Sequence, residues 1–414
     1  MQKIKVGFLG CGNIGGGVWM LLEDMRHDFD VKHQISFEVK KMLVRALDEK
    51  RAVEVPLDRL TTNVNEIIDD PEISLVCEFM GGEQPAAQFM LAALKAGKHV
   101  VTANKMALSL HWQELHQAAA ENNVGLYYEA SVCGAIPVIR TIRESMTGSR
   151  VDRIGGIVNG TTNYILTQMS EHGLSYQVAL AQAQELGLAE PDPTSDVEGY
   201  DAAYKLCILS ALCLGKYIHP PKINCRGISS VDIIDVFLGK QLGYSLKLLA
   251  RAQLDDNEIC CSVSPTFVRK DSQLSNVNGA FNGILLHGHA SDDIFLYGRG
   301  AGALPTASAI VGDMIQAAQL GACKSINCEE FGAAAAPSSA YYIRVPVEYA
   351  TQSILCAAEL LGKDNVTMHT LTDNTVHYCI LTTGVINEEQ RKKLCSALLK
   401  IHKELVCWPI EGNV

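Results

Sequence analysis

The chain has 414 residues, 48% of them hydrophobic and 20% charged, which supplies a large core and excludes wholesale disorder. Thirty-five basic against 46 acidic residues leave a net charge of −11, which argues against a nucleic-acid or anionic-membrane binder while leaving room for a local basic pocket. The length fits two or three domains of roughly 150 residues each.

Met1-Gln2-Lys3 runs straight into the apolar strand Ile4 to Leu9, with no signal peptide. A glycine-rich turn then leads into a helix through Val18-Trp19-Met20-Leu21-Leu22. Further strands are expected to end at Met42-Leu43-Val44 and to cover Ser74 to Glu78, His99 to Val101 and Gly125 to Tyr128. Helices are expected from Pro85, in a first turn, through Leu94 with Gly97 as the stop, and from Trp112 to Glu121. Strands alternating with helices predict a Rossmann-type, doubly wound parallel sheet over residues 1–145. Residues 146–330 change to longer helices and mixed segments, an α+β catalytic and dimerisation domain whose 310–330 end packs back on the first. Ala333 to Ser339, alanine-rich with Pro337, reads as a linker to a third unit, 340–414, of order βαββαβ.

No apolar segment is long and uniform enough to span a bilayer. The 14 cysteines contain no C-x-x-C, and many sit in apolar runs such as Leu206-Cys207-Ile208-Leu209, so they read as core filler rather than a disulfide framework. Cys260-Cys261 is expected on a strand, its two side chains on opposite faces. A reducing cytoplasm is the expected location.

Gly10-Cys11-Gly12-Asn13-Ile14-Gly15 matches G-x-G-x-x-G between a strand and a helix, the arrangement that brings a pyrophosphate onto backbone N–H groups at a helix start. Arg45, at the end of the second strand with Lys50 and Arg51 close by, favours the 2′-phosphate of NADP over NAD, although Asp48 could reach a ribose hydroxyl instead.

The block Glu190-Pro191-Asp192-Pro193-Thr194-Ser195-Asp196-Val197-Glu198-Gly199-Tyr200-Asp201-Ala202-Ala203-Tyr204-Lys205 crowds acids against two prolines, with a helix starting near Gly199. Asp201 and Lys205 then share one helix face at i, i+4 in the favourable order. Burial would lower the Lys205 pKa and the acids would raise it, and the sequence does not decide between them. Asn159-Gly160-Thr161-Thr162-Asn163, after a strand at Ile154 to Val158, reads equally as donors to a polar substrate or as a helix cap at Thr161 or Thr162.

These motifs, with Ala103-Asn104-Lys105, Glu129-Ala130-Ser131-Val132 and Gly298-Arg299-Gly300-Ala301-Gly302, occur in the order of homoserine dehydrogenase, and residues 4 to about 320 resemble that family closely. The resemblance implies reversible NAD(P)-dependent reduction of L-aspartate 4-semialdehyde to L-homoserine, in the route to threonine, methionine and isoleucine. It makes Lys205 the proton donor, with Lys105 between nicotinamide and substrate sharing that role. Glu190 and Asp201 hold the substrate, with Asp196 ordering the acidic pocket. Gly10, Gly12, Asn13, Ile14, Gly15, Arg45, Lys105 and Gly302 line the dinucleotide. It implies a monovalent cation, usually sodium in the family, on carbonyls of Glu129, Val132, Gly134 and Ile136. A homodimer or homotetramer is implied.

Cys133 invites thiohemiacetal chemistry but reads better as a small residue in the cation loop. His287-Gly288-His289 lacks a third metal ligand and reads as structural. The tail resembles an ACT domain, yet Glu348-Tyr349-Ala350-Thr351-Gln352 lacks the proline-glycine of amino-acid-binding members, so weak or absent threonine inhibition is expected. Two other readings are a related amino-acid aldehyde or imine reductase and a catalytically silent regulator; the intact Lys105, Asp201 and Lys205 weigh against the second.

Overall fold

Strand β1 (Gln2–Leu9) is fully buried at Val6, Phe8 and Leu9, as a central strand covered on both faces must be. Around it lie β2 (Ile35–Leu43), β3 (Leu60–Thr61), β4 (Leu75–Glu78), β5 (His99–Thr102) and β6 (Leu126–Tyr127). All are parallel, in the order β3-β2-β1-β4-β5-β6. The order reverses between β1 and β4, and ligands of doubly wound sheets bind in the crevice at that switch point. The computed structural model describes residues 2–51, 53–255, 258–322, 326, 328–332, 335–370 and 377–411.

The expected helices form at Asn13–Asp24, Ala86–Lys95 and Trp112–Glu121, with Pro85 as the cap of the second rather than inside its first turn. A six-residue helix, Lys105–Leu110, and the two-residue β3 were not expected; both are too short to show a period. The Ala303–Leu320 helix packs against Asn13–Asp24, where Gly17 faces Ala303 and Ala307.

A second, mixed sheet contains β7 (Val151–Ile157), β9 (Asn224–Cys225), β10 (Tyr244–Asp255), β11 (Glu258–Arg269), β12 (Phe281–Gly288) and β13 (Asp292–Arg299). A separate pair, β8 (Lys216–Ile218) and β14 (Glu329–Phe331), lies beside it. Residues 340–411 run β15 (Ala340–Pro346), helix Ala350–Leu361, β16 (Val366–His369), β17 (Tyr378–Thr383), helix Glu388–Leu398 and β18 (Val406–Glu411). Strand β18 pairs in parallel with β11 at Phe267–Ile410, so the second sheet continues unbroken into the tail.

The stretch expected as a linker is tied down in part. The Ala335 carbonyl accepts the Cys261 N–H at 2.8 Å, and Ser339 bridges to Ile386; Ala333 and Ala334 lie outside the described residues. The described cysteines are free thiols, and Cys260 and Cys261 point to opposite faces of β11.

Helix Tyr200–Leu214 positions the chemistry. It is apolar on nearly every side and buried continuously from Lys205 to Ala211, as a helix enclosed by other elements must be. It packs on β7 and β10 and against the Lys105–Leu110 helix of the first sheet.

Candidate active site

Gly199, at φ 84°, turns the acidic loop into that helix, and Asp201 follows in its first turn. The helix sets Lys205 Nζ 2.7 Å from Asp201 Oδ2, the expected i, i+4 pair, and the same ammonium donates to the Val158 carbonyl at 2.7 Å. Lys105 Nζ approaches the other oxygen, Asp201 Oδ1, at 3.2 Å. One carboxylate therefore joins two lysines that lie 100 residues apart in the chain.

Asn159 completes the cluster. Its Nδ2 donates to Asp201 Oδ2 at 2.8 Å and to Asp196 Oδ1 at 2.7 Å, while its Oδ1 accepts the Thr162 N–H at 2.8 Å. The helix cap is therefore Asn159 itself rather than Thr161 or Thr162, because an N-cap accepts from the residue two or three positions on. The amide oxygen caps the helix, and the amide nitrogen gives its two N–H groups to protein carboxylates.

Burial favours the neutral form of each group, and pairing decides which escape it. Burial alone would lift the Asp201 pKa, but Lys205 and Lys105 outweigh it and hold the carboxyl well below the usual range. Lys205 shows the converse: burial would lower it, and Asp201 keeps it above the ordinary lysine value. Asp196 is raised, first by burial and then by the Asp201 charge. Burial also pushes the Cys133 thiol up to about 11, so no ready thiolate exists for thiohemiacetal formation.

Lys105 has its own support. Asn104 caps its helix by accepting the Ala107 N–H at 3.0 Å, and Asn104 Nδ2 donates to the Gly82 carbonyl at 2.8 Å. The buried Glu78 carboxylate beneath accepts the Thr102 hydroxyl at 2.6 Å and the Met80 N–H at 2.7 Å. Neither Glu78 nor the bridging role of Asn159 was found from sequence; an acid closing an apolar strand was the available signal for Glu78. Glu190 lies outside the cluster, exposed, with its carbonyl accepting from Gln184.

The glycine turn fits a pyrophosphate. A Cβ placed on Gly12 would meet nothing within 4 Å, leaving open space over the start of the helix, whereas one on Gly15 would lie 2.7 Å from the Gly10 carbonyl oxygen. Asn13 is exposed and Ile14 half-buried at this edge. Gly302 starts the helix that crosses Gly17. Arg45 is exposed beyond β2, while the Arg51 guanidinium donates to the Leu47 and Glu49 carbonyls.

In the 129–136 loop, Cys133 and Gly134 take consecutive left-handed conformations, at φ 57° and 55°. The carbonyls of Glu129 and Ile136 each already accept one N–H, from Val132 and Val138. The Glu129 carboxylate turns away to accept the Ile139 and Arg140 N–H groups, both at 2.8 Å. A cation here would thus be held by backbone oxygens. Among the described residues no three His, Cys, Asp or Glu side chains gather as a metal site. His287 instead pairs with Asp293 at 2.7 Å, and His289 accepts the Arg150 N–H.

Two family profiles match the chain: "Homoserine dehydrogenase, NAD binding domain" over residues 10–129 and "Homoserine dehydrogenase" over 137–315. The homoserine dehydrogenase of Bacillus subtilis is 42% identical over 317 residues, covering 76% of this chain and 73% of that one. The crystal structure of a homoserine dehydrogenase from Thiobacillus denitrificans superposes with a TM-score of 0.91 at 33% identity, over 100% and 99% of the two chains. A hyperthermophilic archaeal homoserine dehydrogenase, solved in complex with NADPH, gives 0.65 at 25% identity over 77% of this chain and 98% of that one.

Proposed function

This chain belongs to the homoserine dehydrogenase family, and from that premise we propose which of its residues carry the reaction. It is an NAD(P)-dependent oxidoreductase acting on a CH–OH group, interconverting L-aspartate 4-semialdehyde and L-homoserine. The nicotinamide dinucleotide supplies the hydride in reduction and accepts it in oxidation.

Lys205 is the proton donor. The observation that carries this is its hydrogen-bond count: an ammonium has three N–H groups, and Lys205 spends two on Asp201 and Val158. The third remains for an oxygen gaining negative charge, where a preoriented donor in a water-poor site stabilises most. Asp201 keeps the amine charged until that moment. Lys105, 40% exposed and attached to Asp201 through one contact, has donors left for the same oxygen and for orienting the substrate. Asp201 and the exposed Glu190 hold the substrate amine or hydroxyl, with Asp196 ordering the acidic pocket, which fixes the carbonyl face offered for reaction.

Further parts of the proposal rest on placement. Arg45, exposed and unencumbered by the backbone bonds that hold Arg51, favours NADP over NAD. Carbonyls of Glu129, Val132, Gly134 and Ile136 hold sodium, supported by the left-handed reversal at Cys133–Gly134. The free thiols suit a reducing cytoplasm. The stacked Phe281, Tyr297 and Phe295 rings on β12 and β13, with Tyr297 52% exposed, support a homodimer or homotetramer. The tail is an ACT-like unit that does not bind threonine tightly.

The testing experiment is homoserine-dependent reduction of NADP and NAD, with and without sodium and threonine. Comparable turnover of other amino alcohols would move the assignment to a different substrate. Strong cooperative inhibition by millimolar threonine would overturn the reading of the tail.

A further inference from the structure

We propose that Glu78 is a positioning residue that joins Lys105 and the 79–82 turn beside the glycine turn into one unit. The inference rests on the placement of Lys105 between nicotinamide and substrate. Glu78 ends β4 and is fully buried, opposite Leu9 of β1 on one side and Thr102, the last residue of β5, on the other. It stands where the strand order reverses, and ligands of such sheets bind there. The turn that follows it borders the glycine turn: a Cβ on Gly10 would lie 3.4 Å from the Phe79 carbonyl, and one on Gly15 3.1 Å from the Phe79 ring. Gly81 and Gly82 are both left-handed, at φ 72° and 69°, and a Cβ on either would meet nothing within 4 Å.

The two carboxylate oxygens serve different segments. Oε1 accepts the Met80 N–H at 2.7 Å and so holds the turn, with Asn104 Nδ2 approaching the same oxygen at 3.4 Å. Oε2 accepts the Thr102 hydroxyl at 2.6 Å, and that hydroxyl oxygen accepts the Asn104 N–H at 2.9 Å. Asn104 closes the circuit: its Nδ2 donates to the Gly82 carbonyl at 2.8 Å, while its Oδ1 caps the Lys105–Leu110 helix at the Ala107 N–H. Lys105 follows directly. The start of its helix, and with it the 3.2 Å approach of Nζ to Asp201, is therefore set by a closed circuit of hydrogen bonds through Glu78.

The cost of burying this acid argues that it is kept for placement. The rest of β4, Leu75, Val76 and Cys77, is apolar and buried, and an apolar residue would suit its last position as a strand residue. Burial penalises the Glu78 carboxylate and raises its pKa, against the bonds from Thr102, Met80 and Asn104. A side chain that is expensive to bury, and whose oxygens each tie down a different segment of the crevice, contributes geometry.

Three variants open the circuit or spare it. Glu78→Gln keeps the side-chain size and replaces one accepting oxygen by a donor. Thr102→Val keeps the shape of its side chain and deletes the hydroxyl between Glu78 and Asn104, and it serves alone should Glu78→Gln misfold. Thr102→Ser keeps that hydroxyl. Lys98→Met is the control for plain loss of stability, since Lys98 is buried just before the opposite end of β5 and donates to the Asp70 and Ile73 carbonyls at 2.6 and 2.7 Å.

The full-length enzyme is assayed for homoserine turnover, for NADPH binding by nicotinamide fluorescence, for its urea midpoint and for hydrogen exchange in residues 79–83 and 104–110. Thr102→Val and Glu78→Gln should each lower kcat about 10- to 100-fold, weaken NADPH binding several-fold and speed exchange in both segments. The double variant should lose no more than the worse single one, because both open the same circuit. Thr102→Ser should stay within about twofold of wild type, and Lys98→Met should lower the urea midpoint with kcat within about twofold. Thr102→Val and Glu78→Gln enzymes that behave like Lys98→Met, or exchange unchanged in either segment, overturn the proposal. Exchange needs no turnover: if both segments loosen while a Lys105→Met enzyme keeps full activity, the catalytic reading of Lys105 falls and its placement by Glu78 stands.

Discussion

Replacing Lys205 by methionine keeps the side-chain length and deletes the charge, which separates two consequences. For catalysis, the missing group is both the proton source, typically worth about 10²–10⁴-fold, and the aimed donor, worth about 10²–10³-fold. One N–H serves both ends, so the effects overlap, and kcat should fall on the order of 10³-fold, about 4 kcal/mol. For folding, the Asp201 side chain is 5% exposed and loses a 2.7 Å partner. Removing one member of a buried pair costs about 3–5 kcal/mol. Lys105 at 3.2 Å and Asn159 at 2.8 Å remain on the carboxylate, which places the loss near the lower end. Steady-state kinetics with homoserine, nicotinamide fluorescence on cofactor binding and a urea midpoint read these separately. Cofactor affinity should stay within twofold, because Lys205 is not among the residues assigned to the dinucleotide. Adding Asp201→Asn should restore much of the stability and none of the turnover. A Lys205→Met enzyme turning over within tenfold of wild type would refute the proton-donor role.

Other residues make sharper structural tests. Burial lifts the Asp235 pKa to about 6, against the opposing pull of Arg344 and the Tyr342 hydroxyl. A raised acid pKa means the folded state holds the proton more tightly, so stability should fall as pH rises from about 4 to about 6, by roughly 3 kcal/mol, and level off above. Asp235→Asn should flatten that slope in urea titrations across the window, and an unchanged slope would remove Asp235 as its source. Gly134→Ala forces a Cβ to within 2.7 Å of the Gly300 carbonyl oxygen at φ 55°, and should cost about 2 kcal/mol together with any sodium activation. Retained sodium activation in that variant would argue against the loop as the cation site. Arg45→Ala should raise KM for NADP about tenfold, equivalent to about 1.4 kcal/mol, and leave KM for NAD unchanged; equal effects on both cofactors would remove the 2′-phosphate contact.

The parts legible in the sequence are those whose partners are close along the chain. Asp201 and Lys205 are one helical turn apart, so a spacing of four residues and a helix start at Gly199 suffice to bring them together. The glycine turn is likewise local, and the alternation of apolar runs reports the parallel sheet without knowledge of its order. Lys105 meets Asp201 only because the Lys105–Leu110 helix packs on the Tyr200–Leu214 helix, a contact between two sheets that no local pattern encodes. Asn159 shows the limit most clearly: the 159–163 turn reads equally as a helix cap or as donors to a substrate, and only the approach of Asp196 and Asp201 reveals that the amide nitrogen goes to those two carboxylates while the oxygen caps the helix.

The Asp201 carboxylate also bears on the question the sequence left open about Lys205. Desolvation and the acids pull its pKa in opposite directions, and the winner depends on whether Asp201 stays ionised when buried. Isolated, it would not, because an unpaired buried carboxylate takes up a proton. Lys205 first, then Lys105, supply the charges and Asn159 a further hydrogen bond that keep it ionised, and the ionised carboxylate in turn keeps Lys205 protonated. An ammonium held above its ordinary pKa releases its proton poorly to water, and only an oxygen that becomes strongly basic draws it away. On the proposed assignment of Lys205 as donor, hydride arrival in the reductive direction creates such an oxygen, so proton delivery is coupled to the hydride step rather than preceding it. In the oxidative direction the same coupling runs backwards, with the hydroxyl proton passing to a Lys205 that must first have lost one. Turnover of homoserine should therefore climb with pH well into the alkaline range, and semialdehyde reduction should not.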